Sequence, residues 1–524
     1  MGAQLFLAAD KAFGISRLSL RPVPVKPRNS HKERNVETDV RLTGGKLPMR
    51  NSQLLAASAI IALVATASPA LAQSTSGASE DNSGDIIVTA QRREERLIDV
   101  PISVSAVNEA RLAQSGTTDV SNIGTIIPNI QINETVGAKF SPLITIRGLA
   151  PSGDTSLGRD QPVGIYINGV PVAKSTGAAF DTVDLQRVEV LRGPQGTLYG
   201  KNTIGGAVNL VTRKPTGEFG GSLQLGVGEY GYGSERLSVN LPGMETGIGT
   251  FKVKLAIAGK QADSFIKQTG PSKQFEDRST AAARADILWE VSPSFDVSYA
   301  YDITDSRGNG VPLPISAPGL ISATGALKSL YPLIANSIYP DRPKSLATDY
   351  TGRSNFAVSG HALNLEYRAG ETALGDITLK SITAWRKLTT RSNSDFDGVA
   401  KDLLRFTLDN NYNQFSQEFQ IFGNSEDFHY TLGAFFMRDR YSVYNPRWSV
   451  RLGDSSKYDL SDRSGRNRSV AGYGQFTWSP SAFDHKLDLT VGARWTKDTK
   501  HTTNLFLGFN CYAAASPTAC PAGS

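Results

Sequence analysis

Beyond Thr216 apolar and polar residues alternate one for one. Leu223, Leu225 and Val227 alternate with Gln224, Gly226 and Gly228, and Phe251, Val253, Leu255 and Ile257 with Lys252, Lys254, Ala256 and Ala258. Ala285, Ile287, Trp289 and Val291 are interleaved with Asp286, Leu288 and Glu290, and Phe295, Val297, Tyr299 and Tyr301 with Asp296, Ser298, Ala300 and Asp302. Leu487, Leu489, Val491, Ala493 and Trp495 repeat the device against Asp488, Thr490, Gly492, Arg494 and Thr496. A period of two sends one set to each face of a strand. A soluble sandwich alternates too, so length and end chemistry decide. Several runs reach the about 9 to 11 residues that cross a bilayer at a tilt, with Trp, Tyr and Phe recurring near their ends. The pattern predicts an antiparallel transmembrane β-barrel over 216–524.

Upstream the pattern is mixed α and β. Ile102 to Val107 reads as a strand, and Asn108 as the cap of a short helix running through Ala113 and stopping at Gly116. A second short helix is expected between Thr118 and Ile127, ended by Pro128. Leu143 to Ile146 form a strand closing on Arg147-Gly148, and Asn168-Gly169 supplies the turn of a hairpin from Ile165 to Val170. Arg187 to Leu191 lead into a glycine-rich loop, and Ala207 to Thr212 leave it. That loop ends in Gly200-Lys201, as a phosphate cradle would. Gly196 and Gly200 enclose only three residues, however, and Asn202 stands where the magnesium-binding hydroxyl belongs. The spelling speaks against nucleotide binding.

The formal charge of +6 invites a nucleic-acid reading until it is located. Residues 1–72 hold ten Lys/Arg and four Asp/Glu and so carry the whole excess; the rest is balanced, and no nucleic-acid partner is expected. Residues 49–72 read as a signal peptide: Met49-Arg50-Asn51, an apolar stretch from Leu54 to Ala67, and Ala70-Leu71-Ala72 at the cleavage positions. The stretch is shorter than the about 20 residues of a membrane helix. Residues 1–48 read as an over-extended start or a long leader, and 73–84 as a flexible Ser/Gly/Ala-rich linker. Export suits the two cysteines, Cys511 and Cys520, whose spacing suggests a loop disulfide, with two free thiols as the alternative.

Asp85-Ile86-Ile87-Val88-Thr89-Ala90 is a β-branched island with no obvious partner in its own chain, a candidate for strand addition to another protein. It resembles the TonB box. Thr145 to Gly148, Val163 to Val170 and Asp184 to Pro215 together resemble, in order, the plug of the TonB-dependent outer-membrane receptors. The resemblance implies an α+β plug over 91–215 filling a transmembrane β-barrel, and energy-coupled uptake of a scarce ligand. A ferric siderophore is the first choice; cobalamin, haem or carbohydrate, or a passive porin or adhesin, are the alternatives. The implied partners are the TonB energy-transducing protein and outer-membrane lipid.

The resemblance also assigns residues. The loop glycines Gly193, Gly196, Gly200, Gly205 and Gly206 would permit tight turns and close contact with the barrel wall. Arg147 and Arg192 match plug arginines that pair with barrel carboxylates, with Glu418 a candidate partner. Ser152, Asp154, Arg159, Asp160 and Gln161 are candidate ligand contacts at the plug apex. No catalytic, cofactor or metal residue is expected: His361, His429, His485 and His501 are scattered without metal-ligand spacing. One departure is length. Such barrels close with 22 strands, whereas Gly217 to Ser524 supplies about a dozen at about 20 to 25 residues per strand and loop, so the chain reads as the front half of a receptor.

Overall fold

The computed structural model describes residues 86–115, 120–135, 138–151, 157–158, 160–174, 184–272, 276–309, 313–316, 335–450 and 455–512. The N-terminal part opens with a two-residue hairpin, β1 (Ile87–Val88) against β2 (Glu95–Arg96). β3 (Val104–Asn108) follows, then α1 (Glu109–Gln114), β4 (Ile130–Thr135), β5 (Ala138–Ile146), β6 (Val163–Ile167), β7 (Val170–Pro171), β8 (Leu185–Arg192) and β9 (Gly206–Thr212). Five of these form one sheet in the order β3-β8-β9-β6-β7, with β6 and β9 parallel. Asn108 caps α1 as its position suggests, its Oδ1 accepting the Arg111 amide at 3.0 Å. The Asn168-Gly169 turn has φ of 49° and 83°, the two left-handed residues a type I′ hairpin needs. The second expected helix is a 3-10 turn, Val120–Thr125, with Gly124 in its last stretch.

The second part is one antiparallel sheet. Its strands are β10 (Gly220–Val227), β11 (Gly233–Asn240), β12 (Met244–Thr246), β13 (Gly249–Asp263), β15 (Glu276–Ser292), β16 (Phe295–Gly308), β18 (Arg353–Thr372), β19 (Gly375–Asp395), β20 (Leu404–Asn424), β21 (Phe428–Val450), β22 (Ser455–Trp478) and β23 (Leu489–Tyr512). A short parallel pair, β14 (Lys267–Gln268) with β17 (Ser345–Leu346), lies in the connections. The long strands pair strictly in chain order, and among the described residues β10 and β23 are the free edges. At one end the connections are short, as at 293–294, 373–374 and 425–427; at the other they reach the span 309–352.

Nearer its short connections the sheet is polar inside and apolar outside, the reverse of a soluble protein. On β20, Asn410, Gln414, Ser416, Glu418 and Gln420 are buried, while Phe415, Phe419 and Ile421 are exposed, Phe419 to 57%. Trp385, Phe428, Leu432, Phe476 and Trp478 are exposed likewise. Large apolar side chains in continuous contact with water would be costly; the outward face is built for lipid. No helix among the described residues is long and apolar enough to cross a membrane. The inner face is occupied by the N-terminal part: Ile123, Ile144, Val188, Val190 and Leu210 share an apolar core with Phe356, Val358, Leu388 and Tyr441 of the wall.

Candidate functional site

The island at 86–90 is not free. It pairs with β2 in its own chain, Leu97 donating to the Ile86 carbonyl at 2.7 Å, and Val88 is wholly buried against Leu191, Leu198 and Tyr199. This corrects the expectation of an unpartnered strand. The cause is a carboxylate that the sequence hides in an apolar run, Val188-Glu189-Val190. Glu189 is 0% exposed, and a buried charge needs donors. The Thr89 amide donates to its Oε1 at 2.9 Å and the Thr89 hydroxyl to its Oε2 at 3.0 Å. Arg187 Nε donates to Oε1 at 2.7 Å and Asn209 Nδ2 to Oε2 at 3.2 Å. The box is thus held by the sheet it lies on. Asp85, the first residue of the proposed box, lies outside the described residues.

Just beyond the box the chain reaches the wall. Arg92 turns back, its amide donating to the Thr89 carbonyl at 3.0 Å, and its guanidinium lies over the rings of Tyr199 and Tyr166, 4.5 and 5.1 Å from their centroids. Nη1 donates to the Gly169 carbonyl at 3.2 Å, and Nη2 stands 3.9 Å from Glu418 Oε2 on β20. Tyr473 on β22 donates to the other carboxylate oxygen at 2.6 Å. Burial works against the Arg92 charge, and Glu418 with the three tyrosines more than offsets it, holding the guanidinium above its ordinary value. Burial also pushes the Tyr166 phenol up to about 12, so it remains a donor, here to the Tyr199 carbonyl at 2.8 Å.

Glu418 therefore does receive an arginine from the N-terminal part, but that arginine is Arg92. Arg192 is bound within its own domain, Nη2 donating to Ser105 Oγ at 2.6 Å and to the Pro128 carbonyl at 3.2 Å. Arg147 is exposed at φ 51° beside Gly193. Among the described residues neither has a barrel carboxylate within ion-pairing distance, which corrects the expected pairing; Arg192 ends a strand where a local carbonyl and hydroxyls reach it first, and Arg147 faces out. The domains are clamped elsewhere. Lys254 on β13 pairs with Asp184, which also takes Arg213 at 3.0 Å and Ser238 at 3.3 Å. Gln414 donates to the Pro171 carbonyl at 2.7 Å, and Arg494 on β23 to the Thr197 carbonyl at 3.3 Å.

The glycine-rich loop lies against the wall. A Cβ on Gly200, at φ 85°, would stand 2.6 Å from the Arg494 guanidinium, and one on Gly206, at φ 145°, 2.2 Å from the Leu191 carbonyl. No anion cradle is formed there; the loop is a contact surface. Of the apex residues, Ser152, Asp154 and Arg159 lie outside the described residues, as do Cys520 and the side chain of Cys511. Asp160 pairs with Lys500 on β23; its partial burial opposes ionisation, but Lys500 holds the carboxyl below its ordinary range. Gln161 lines a narrow cleft with Arg92, Glu418, Met437 and Arg494.

Sequence reasoning missed Gln91, Arg92, Glu189 and Tyr473. Glu189 alone carried a readable signal, a carboxylate inside an apolar strand. Gln91 touches the wall too, its Oε1 accepting Gln475 Nε2 at 3.1 Å.

Residues 96–207 match the family described as TonB-dependent Receptor Plug Domain. Over 160 residues the chain is 32% identical to the pesticin receptor of Yersinia pestis, which is 30% of this chain and 23% of that receptor. It is 25% identical over 233 residues to the vitamin B12 transporter of Vibrio vulnificus, covering 43% of this chain and 36% of the transporter. The chain thus spans less than half the length of these relatives. Among solved structures it resembles the ferric yersiniabactin uptake receptor of Yersinia pestis, with a TM-score of 0.60 and 18% identity, over 78% of this chain and 60% of that one. It also resembles the outer-membrane ferripyoverdine receptor of Pseudomonas aeruginosa, with a TM-score of 0.61 and 17% identity, over 82% and 56%.

Proposed function

Since this chain belongs to the TonB-dependent receptors, carrying their plug and a run of their barrel strands, we propose that it serves energy-driven uptake of a ferric siderophore across an outer membrane. The observation that carries the reading is the tether. One short segment, Ile86 to Arg92, is stapled first to the plug through Glu189 and then to the wall through Glu418. Traction on that segment loads both at once. It is built as a handle rather than as a reactive centre, and no chemistry on the ligand is required.

In this proposal the box leaves Glu189 and pairs as an added strand with the periplasmic end of the energy-transducing protein. Pulling then draws Arg92 off Glu418 and loosens the plug beneath the ligand. The box lies towards the short-turn end of the barrel, where Gln475, near the end of β22, meets Gln91; the long connections lie at the opposite end and would face outward. The siderophore assignment is supported by the ferrioxamine B receptor among the relatives, 30% identical over 135 residues, and by the yersiniabactin and pyoverdine receptors among the structures. Cobalamin is the second reading, favoured by the similarity to the vitamin B12 transporter.

The test is uptake of iron-55 complexes from a siderophore panel by cells expressing the receptor. Val88→Pro should abolish uptake while leaving surface binding intact, because proline removes a backbone donor and restricts the strand. Collapse of the proton gradient should do the same. Uptake that persists under either condition would favour a passive pore.

A further inference from the structure

The loop between β19 and β20 gathers more negative charge than it neutralises. Asp395 ends β19, Asp397 lies two residues on, and Asp349 approaches from the segment before β18, its amide donating to the Val399 carbonyl at 3.1 Å. One carboxylate oxygen from each of Asp349, Asp395 and Asp397 lies within 4.8 Å of the others. That is the spread a single ion can bridge when its oxygen ligands stand at about 2.3 to 2.6 Å. Asp402 adds a fourth carboxylate nearby. Against these four stands Arg405, which donates to Asp349 at 2.8 Å, reaches Asp402 at 3.0 Å, and lies over Tyr350.

A second observation comes from the orphaned oxygen. Asp395 is only 8% exposed. Its Oδ1 accepts the amides of Asp397 at 2.9 Å and Gly398 at 3.1 Å, but its Oδ2 is buried and, among the described residues, receives no N–H or hydroxyl, with the Asp397 carboxyl beside it. A buried carboxylate oxygen without a donor costs free energy, and carboxylates left together in this way call for a cation. Asp397 is fixed in place, Oδ1 by the Val399 amide at 3.1 Å and Oδ2 by those of Leu403 and Leu404 at 3.0 and 2.7 Å, leaving lone pairs for a metal.

We infer that Asp349, Asp395 and Asp397 bind one divalent cation, calcium by preference, and that the ion ties the segment before β18 to the β19–β20 loop. The donors are all oxygen, with no His or Cys in the cluster among the described residues, which selects hard cations over zinc or copper. Carboxylates presented by an irregular loop suit calcium, which tolerates variable geometry, better than magnesium, which demands a near-ideal octahedron. The site stands apart from the uptake reading and would survive its failure.

Equilibrium dialysis of the full chain in detergent against radioactive calcium tests it. The unmodified protein should bind a single saturable calcium. Asp395→Asn and Asp397→Asn should each weaken binding about tenfold or more, while Asp341→Asn, an exposed carboxylate outside the cluster, should not. No saturable calcium at millimolar concentration, equal competition by magnesium, or unchanged binding in Asp395→Asn would overturn the assignment. Should the variants misfold, the unmodified chain still decides: endoproteinase cleavage after the exposed Lys401 should slow in calcium relative to chelator, and equal rates would refute it.

Discussion

At Arg92 a single side chain joins the tether to the wall, and its environment sets what its loss would cost. The Arg92 and Glu418 side chains are both buried, and removing one charge strands the other. The contact is loose, and Tyr473 continues to hold Glu418, so Arg92→Met should cost about 2 to 3 kcal/mol, less than the about 3 to 5 kcal/mol of a tight buried pair. Hydrogen exchange at residues 86–92 should accelerate roughly ten- to a hundredfold; no change would mean the guanidinium contributes little. Asp397 sets a pH dependence. Its folded pKa of about 8 lies above the unfolded value, so the native loop holds the extra proton, and stability is lost as pH rises towards 8. With chelator present, cleavage at Lys401 should therefore be slower at pH 6 than at pH 8 after correction for the protease, and calcium should remove the difference. The carboxylates beside Asp397 are Asp395 and Asp349, and Arg405 pairs with Asp349 and Asp402. Glu418 was named as a partner beforehand, though not for Arg92; the carboxylate cluster was not legible, because Asp349 meets the Asp395-Phe396-Asp397 stretch only through the fold.

Among the elements, the smallest matters most. β1 is two residues long, and its seat depends on Glu189 as much as on β2. Thr89→Val keeps shape and β propensity but removes the hydroxyl that both donates to Glu189 and accepts from Asn209 at 3.0 Å. The loss should be about 1.5 to 2 kcal/mol, read as a roughly tenfold rise in box exchange with uptake retained; lost uptake would show that docking itself is needed for transport. The plug elements were legible because each carries a local mark: Asn108 before α1, Asn168-Gly169 between β6 and β7, and apolar runs at β8 and β9. The outer strands were legible only in part. β22 runs from Ser455 to Trp478, yet alternation shows only towards its Trp478 end, where the outward face meets lipid. Nearer Ser455, Asp462, Arg463, Arg466 and Arg468 leave no apolar set to read. The box's partner was invisible because Glu189 lies 100 residues from Thr89.

For the whole molecule, the polar-inside, apolar-outside sheet places a plug within a wall, and the resemblance to TonB-dependent receptors anticipated both. It did not anticipate which side chains hold them together. Lys254 with Asp184, Gln414 with Pro171, and Arg494 with Thr197 secure the body of the plug, whereas the Ile86–Arg92 tether is held by its own short hairpin and by side-chain contacts that include Glu189, Gly169, Gln475 and Glu418. Force applied at the N-terminal side therefore loads this attachment before the body of the plug. The direct measurement is to pull on an attachment placed just before Ile86 with the chain held in lipid, recording extension against force. The account predicts a low-force step that releases the box and Arg92 while the long strands stay paired, and that moves to lower force in Arg92→Met. A single event unfolding plug and strands together, or a first step unchanged by that substitution, would contradict it.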